Sequence, residues 1–253
     1  MTSIFHALIY NPIYNALIFM MGTFSWIDLG LAVVLLTIIV KGALFPLAKG
    51  AVTTQEAMKI AKPELSAITD KFKTIKNPTT EQRQAMGKET LAVYNKYGIK
   101  PFASFATLLI QIPIFLALYW IFYSGGLPVI KTDILYPFVT APETIRMTLF
   151  GIIDISGKSI LLAGLAGVTQ FIYLSSSMGK LDMSKNGTKF GALGSDFGKT
   201  LQLQMKYGLP FLIAFIAYIS SIVALYFIAT NIYMYTQDLL IKKKHKRPLI
   251  EAE

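Results

Sequence analysis

The sequence predicts an all-α polytopic membrane protein, a five-span helical bundle oriented N-out/C-in, and three observations carry that expectation. Of its 253 residues 54% are hydrophobic and only 15% charged, against about 25% charged in an ordinary soluble domain, and mean hydropathy is +0.53. Apolar stretches recur from Leu29 to about 47 (interrupted by Lys41) and at 101–130, 159–179 and 207–237, each long enough to be read as spanning. Basic residues crowd into 48–100, 179–206 and the tail at 241–253, which the positive-inside rule assigns to the cytoplasm.

Residues 1–27 and 125–157 then face outward. The N-terminal stretch carries Asn11-Pro12, which interrupts a helix. It is therefore expected as an outer interfacial amphipathic segment, with Tyr10, Tyr14 and Trp26 as belt aromatics. The first span is expected over 28–47, the second over 101–124 and the third over 158–177. Because the loop at 178–206 and the tail are both basic, 207–240 must cross twice. Two helices of about 24 Å each are expected there, at about 1.5 Å per residue, with the outer turn at Tyr218-Ile219-Ser220-Ser221.

The cytoplasmic segment 48–100 reads as a helical hairpin. Ala61, Leu65, Ile68, Phe72 and Ile75 form a helical seam. After a turn at Lys76-Asn77-Pro78, Thr79 with Gln82 three residues on is a capping-box start. The second seam, Met86, Leu91 and Tyr94, is weaker. The Gly-, Ser- and Lys-rich loop after Gly179 reads as flexible.

Cysteine is absent, which excludes disulfides and an acylated cysteine anchor. No signal or transit peptide is apparent, so a bacterial plasma membrane, multi-pass, is the expected location. Among the side chains only two histidines occur, His6 and His245. No carboxylate pair, phosphate loop or metal-ligand cluster appears, so neither an enzyme nor a metal or other cofactor is expected.

Polar residues inside the apolar stretches are the functional candidates. Ser104, Thr107 and Gln111 share one helical face, as do Thr169, Gln170, Tyr173 and Ser177, and Ser220, Ala224, Phe227 and Asn231. Thr37 lies one turn before Lys41. Hydroxyls and amides commonly join membrane helices, and a lysine near a helix end can snorkel to the headgroups. A lysine at a span centre costs about 2.5–3.5 kcal/mol, so the other reading brings water to it. The residues alone leave both open.

The runs "YNPIYNALIFM", "VVLLTIIVKGALFPL", "YNKYGIKPFASFATLLIQIPIFLALYW", "ILLAGLAGVTQFIYLSSSM" and "YGLPFLIAFIAYISSIVALYFIATNIYMYTQDLLI" resemble the YidC/Oxa family of membrane protein insertases over nearly the whole chain. The resemblance implies a hydrophilic groove open to cytoplasm and lipid. Lys41 stands at the position where members carry an arginine. Gln111 and Gln170 match groove-lining glutamines, and Phe227 falls where some members carry tryptophan. Lysine keeps the charge but loses the bidentate fork of arginine. The implied partners are nascent membrane proteins and the lipid bilayer, with a ribosome and a Sec translocon as further candidates and no DNA. The resemblance also implies a minimal form without the large outer domain of Gram-negative members. A small-solute transporter and a structural membrane scaffold are the alternatives. A transporter often shows internal repeats or broken helices, and a scaffold has no need of an interior cation.

Overall fold

The computed structural model describes residues 2–73, 79–100, 102–124, 127–177 and 203–250. The turn expected at Lys76-Asn77-Pro78, Ile75 of the first seam and most of the 178–206 loop lie outside the described residues, as do the side chains of Ser104 and Thr107. Nine α-helices are described, α1 (Thr2–Phe5), α2 (Asn11–Thr23), α3 (Leu29–Ala43), α4 (Phe45–Lys73), α5 (Thr80–Tyr97), α6 (Phe102–Tyr119), α7 (Ile160–Ser177), α8 (Leu209–Ala217) and α9 (Ser221–Ile250), together with two short strands, β1 (Thr148–Leu149) and β2 (Ile153–Asp154).

Asn11-Pro12 does not interrupt the first helical run. A π-turn at His6–Tyr10 joins α1 to α2, and the Asn11 N–H donates five residues back to the His6 carbonyl. Widening the turn makes room for a proline ring that an ordinary α-turn would drive into the carbonyl four residues back. The chain repeats the device before Pro210, where a π-turn at Gln204–Gly208 precedes α8 and the Leu209 N–H donates to the Gln204 carbonyl.

The placement of the N-terminal aromatics also departs from expectation. Tyr10 and Tyr14 are buried with Ile13, Leu17 and Ile18 in the main core, and only Trp26 stays exposed. The reason is polar as well as apolar: the Lys131 N–H donates to the Tyr14 hydroxyl at 2.7 Å, and Asn15 takes the Tyr136 N–H at 2.7 Å while donating to the Ile134 carbonyl at 2.9 Å. These bonds clamp α2 onto the 127–140 segment. A buried tyrosine hydroxyl and a buried amide both need such partners.

The helix expected over 28–47 divides at Leu44. Helices α3 and α4 meet at 66°, and Pro46, unable to donate to the carbonyl four residues back, accounts for the break. Helix α4 then runs 29 residues and pairs with α5 as a hairpin. Thr79 and Gln82 form the reciprocal capping box read from the sequence, and Gly98 closes α5 in the left-handed region at φ 64°. The seam of α5 is Val93, Tyr94 and Tyr97 packed on Ala61, Leu65 and Ile68; Leu91 of the expected seam is exposed. Lys96 and Tyr97 both donate to Glu64, at 2.6 and 2.7 Å. The hydrogen bonds from Lys96 and Tyr97 hold the Glu64 carboxyl below its ordinary range, and Glu64 raises Lys96 in turn.

Helix α9 packs along α7, α3 and α8, and α7 packs closely on α8. Gly167 makes that closeness possible, since a Cβ there would meet the Ala214 side chain at 3.0 Å and the Pro210 carbonyl at 3.1 Å. The chain turns between α8 and α9 at 218–220, within the polar step read from the sequence. Ser221 fixes this corner by donating both its N–H (3.1 Å) and its hydroxyl (2.7 Å) to the Gly157 carbonyl.

Strands β1 and β2 form an antiparallel hairpin, Thr148 opposite Asp154 and Leu149 opposite Ile153, which the sequence did not announce. Asp28 explains it. Its side chain caps α3 through the Leu31 N–H at 2.9 Å, and its other oxygen accepts from the Thr148 hydroxyl at 3.1 Å and the Gly151 N–H at 2.7 Å. One carboxylate thus closes the helix start and holds the hairpin on it.

Ile160–Ser177 is the one described helix long and apolar enough to cross a membrane by itself, and the bent α3–α4 pair passes only when taken together. Shorter apolar helical stretches run over Gln111–Phe122 and Gln204–Ala217. Large apolar side chains are exposed on the outer sides of the helices, among them Ile39, Leu109, Phe171, Phe211, Phe215 and Leu240.

Candidate functional site

Helix α3 delivers Lys41 to the interior at the start of the bend, where it is 8% exposed. Its ammonium donates to the Gln111 side-chain oxygen on α6, and the Gln111 amide donates onward to the hydroxyl of Tyr226 on α9. Met234 of α9 places its sulfur 3.9 Å from the same nitrogen. Three helices therefore meet through one cation and two neutral polar groups. Among the described residues no carboxylate pairs with Lys41.

That arrangement has a chemical consequence. An ammonium has three donors, and here one strong acceptor and one weak sulfur contact are present. A buried charge without a counter-charge is costly unless water or a ligand solvates it. Cavities flank the lysine on both sides. One is lined by Ile13, Leu36, Thr37, Lys41, Gln111 and Tyr226, the other by Lys41, Leu44, Ala48, Gln111, Met234 and Gln237. The Thr37 hydroxyl donates to its own helix at the Val33 carbonyl, 2.7 Å, so it contributes no free donor to the first cavity.

The remaining candidates gather elsewhere. Asn231 donates to the Thr169 hydroxyl at 3.2 Å and the Ala166 carbonyl at 3.4 Å, and Gln170 is buried on the same helix. These residues join α7 to α9. Gln170 does not line either of the two cavities beside Lys41, so Lys41 and Gln111 meet directly while Gln170 belongs to the neighbouring seam. The Phe227 ring lies 5.5 Å from Phe115 of α6 and 5.5 Å from Tyr226, tilted by 34° and 54°, forming an apolar wall next to the polar relay. Tyr173 interacts with Ser177 and Asp238.

A charged knot closes the far end of that seam. Glu56 of α4 lies 2.8 Å from Lys59 and 3.8 Å from Lys242 of α9, and Lys242 is also 3.8 Å from Asp238. Lys242 and Lys59 donate to the Ser176 and Ser177 carbonyls, at 3.1 and 3.5 Å, so two cations satisfy the last turn of α7, where the helix dipole favours them.

Tyr226, Met234, Gln237, Asp238 and Glu56 were missed by sequence reasoning. A signal existed: Tyr226, Thr230, Met234 and Gln237 recur at spacings of 4, 4 and 3, a helical stripe beside the one read through Phe227 and Asn231.

A helical bundle with apolar outward side chains and a lysine held inside by neutral polar groups has the build of a helical membrane protein. The chain belongs to the family described as 60Kd inner membrane protein, whose model matches residues 19–248. It is 30% identical over 216 residues to the membrane protein insertase YidC of Oceanobacillus iheyensis, covering 85% of this chain and 74% of that one. It is 34% identical over 111 residues to the YidC of Psychromonas ingrahamii and 32% over 115 residues to that of Haemophilus influenzae, covering 44% and 46% of this chain. The matched parts are only 18% and 20% of those two longer relatives.

Proposed function

We propose that the chain is a membrane protein insertase, which guides short membrane proteins into the lipid bilayer, and that Lys41 receives the hydrophilic part of the client. The observation that carries this reading is the Lys41–Gln111–Tyr226 relay, a buried cation with no described counter-charge and a cavity on either side. Family membership points the same way, since the relatives are named membrane protein insertases.

In this reading the chain crosses a bacterial plasma membrane five times, N-out/C-in, over 28–47, 101–124, 158–177, 207–219 and 221–240. The α4–α5 hairpin and the basic tail lie in the cytoplasm, and α2 sits at the outer side. The cavities around Lys41 open into a hydrophilic groove facing cytoplasm and lipid. A client's polar tail faces a desolvation barrier in hydrocarbon; a solvated groove with a fixed cation shortens the dry path and attracts acidic residues. Burial of the client's own apolar span then drives its release into lipid. No covalent step or cofactor is involved. A ribosome and a Sec translocon are further partners in this scheme, the ribosome through the basic hairpin.

Reconstitution into protein-free liposomes tests it. A purified short single-span substrate should gain protease protection in the presence of the protein, and protection equal to that of empty liposomes would reject the reading.

A further inference from the structure

The β1–β2 hairpin presents its apolar residues at the wrong place for a soluble turn. Ile152 is 85% exposed and Phe150 66%, with Ile153 exposed beside them. Phe150 also occupies the left-handed region at φ 55°, where a bulky residue is a genuine outlier and Gly, Asn or Asp is usual. An apolar turn held in strain and pointed away from the core is a feature retained for what it touches.

Three observations indicate what that is. The hairpin is rigidly attached, because Asp28 grips Thr148 and Gly151 while capping α3, and Gly30 lets Thr148 and Leu149 lie directly on the helix, where a Cβ would meet the Thr148 carbonyl at 2.7 Å. Helix α7 begins six residues after Asp154 of β2, its first residues Ile160 and Leu161 are both exposed, and α7 is the described helix most fit to span a bilayer. Trp26, exposed just before α3, and Lys158, whose ammonium lies 5.7 Å over the Tyr218 ring, flank the same end. An indole and a lysine beside an apolar tip match the headgroup zone of a membrane.

We propose that the Phe150–Ile153 turn is a lipid anchor that dips into the interfacial layer of the bilayer at the end where α3 and α7 begin, fixing the depth of α3 and with it that of Lys41. This deepens the insertase reading and takes from it the assignment of that end to the outer leaflet. Apolar faces of this kind settle roughly 5–10 Å into the headgroup and acyl boundary.

The cysteine-free chain makes the test direct. Ile152→Cys and, as a polar control on the same segment, Glu143→Cys are each labelled with a small fluorophore in nanodiscs. Lipids with a quencher near the headgroup should quench the Ile152 label at least about threefold more than the Glu143 label, as burial at that depth requires, and aqueous iodide should do the reverse. Equal iodide quenching at both positions overturns the anchor, and so does protection of Ile152 from both quenchers, which would mean a protein partner. Phe150→Asn, which suits a left-handed turn, should retain the detergent melting temperature while reducing lipid quenching at position 152; unchanged quenching removes Phe150 from the anchor. An impermeant thiol reagent on proteoliposomes then separates the two readings. Lipid quenching with labelling from the cytoplasmic side keeps the anchor and refutes the orientation, and lipid quenching without substrate insertion keeps the anchor and refutes the insertase.

Discussion

Lys41 donates to the side chain of Gln111, seventy residues further along the chain, and through Gln111 the cation is tied to Tyr226. The relay is asymmetric. Gln111 carries the hydrogen bond to the charge, whereas Tyr226 only orients the glutamine.

Gln111→Leu should therefore destabilise the protein in detergent by about 1.5–3 kcal/mol, the worth of a hydrogen bond to a charged group, and Tyr226→Phe by about 1 kcal/mol. Thermal unfolding of the two variants checks the order. A larger loss from Tyr226→Phe would place the key acceptor elsewhere.

The orientation is cheap to examine, because no native cysteine competes. Ser25→Cys, next to the start of α3, should react with an impermeant thiol reagent in intact cells, and Ala67→Cys on α4 only after lysis. Both positions are exposed in the fold, so a silent site is not explained by burial in the protein. Labelling of position 67 from outside would invert the topology.

For the α4–α5 hairpin, folding should count for more than surface charge. Ile68 packs against the Val93–Tyr97 seam, and Ile68→Pro costs about 3 kcal/mol or more in a helix interior. Lys71 pairs with Glu89 at 2.5 Å across the hairpin, but with both side chains substantially exposed, so Lys71→Gln removes about 0–1 kcal/mol. Substrate protection assays should show a loss with the first and near-normal insertion with the second. Equal losses would assign the hairpin an electrostatic role.

The Glu64 clasp gives a pH dependence with a definite sign. Its folded carboxyl is depressed by the Lys96 and Tyr97 hydrogen bonds, so the stabilisation is complete above the ordinary glutamate value and is lost as pH falls through the lower folded value. Lys96 is raised by the same pair, so its share is complete below the ordinary lysine value and fades only as pH rises through the higher folded one. Amide protection at Tyr94–Tyr97, taken relative to the intrinsic exchange rate at each pH, should thus be flat across neutral pH and fall under acid, and Glu64→Gln should abolish that acid step. An acid step that survives Glu64→Gln would point to another carboxylate.

Local signals were the legible ones. The Thr79 capping box and the Lys41 and Gln111 candidates could be read because a cap is set within four residues, a charge in an apolar run is conspicuous by itself, and Gln111 shares a helical face with Ser104 and Thr107. Asp28 was not legible as a hairpin clamp, since its partners Thr148 and Gly151 lie 120 and 123 positions away and two-residue strands leave no periodicity. Tyr226 and Met234 escaped because both count as apolar in a pattern search, although one supplies a hydroxyl and the other a sulfur to the relay. The burial of Tyr10 and Tyr14 was hidden for a related reason: belt and core aromatics look alike until the 127–140 segment supplies hydrogen-bond partners.

If Lys41 meets the client's acidic residues, reversing its charge should sort clients by the charge of their tails. In proteoliposomes, Lys41→Glu and the unaltered protein should be compared on two versions of one single-span substrate, with an acidic or a neutral translocated tail, scored by protease protection. A unit charge pair at 4 Å is worth about 1 kcal/mol in water and about 4 kcal/mol at an effective dielectric near 20. Lys41→Glu should cut insertion of the acidic tail by about tenfold, equivalent to about 1.4 kcal/mol, and leave the neutral tail within about twofold, while Lys41→Arg should preserve both. Equal handling of the two tails by Lys41→Glu would mean that Lys41 does not meet the acidic residues of the client.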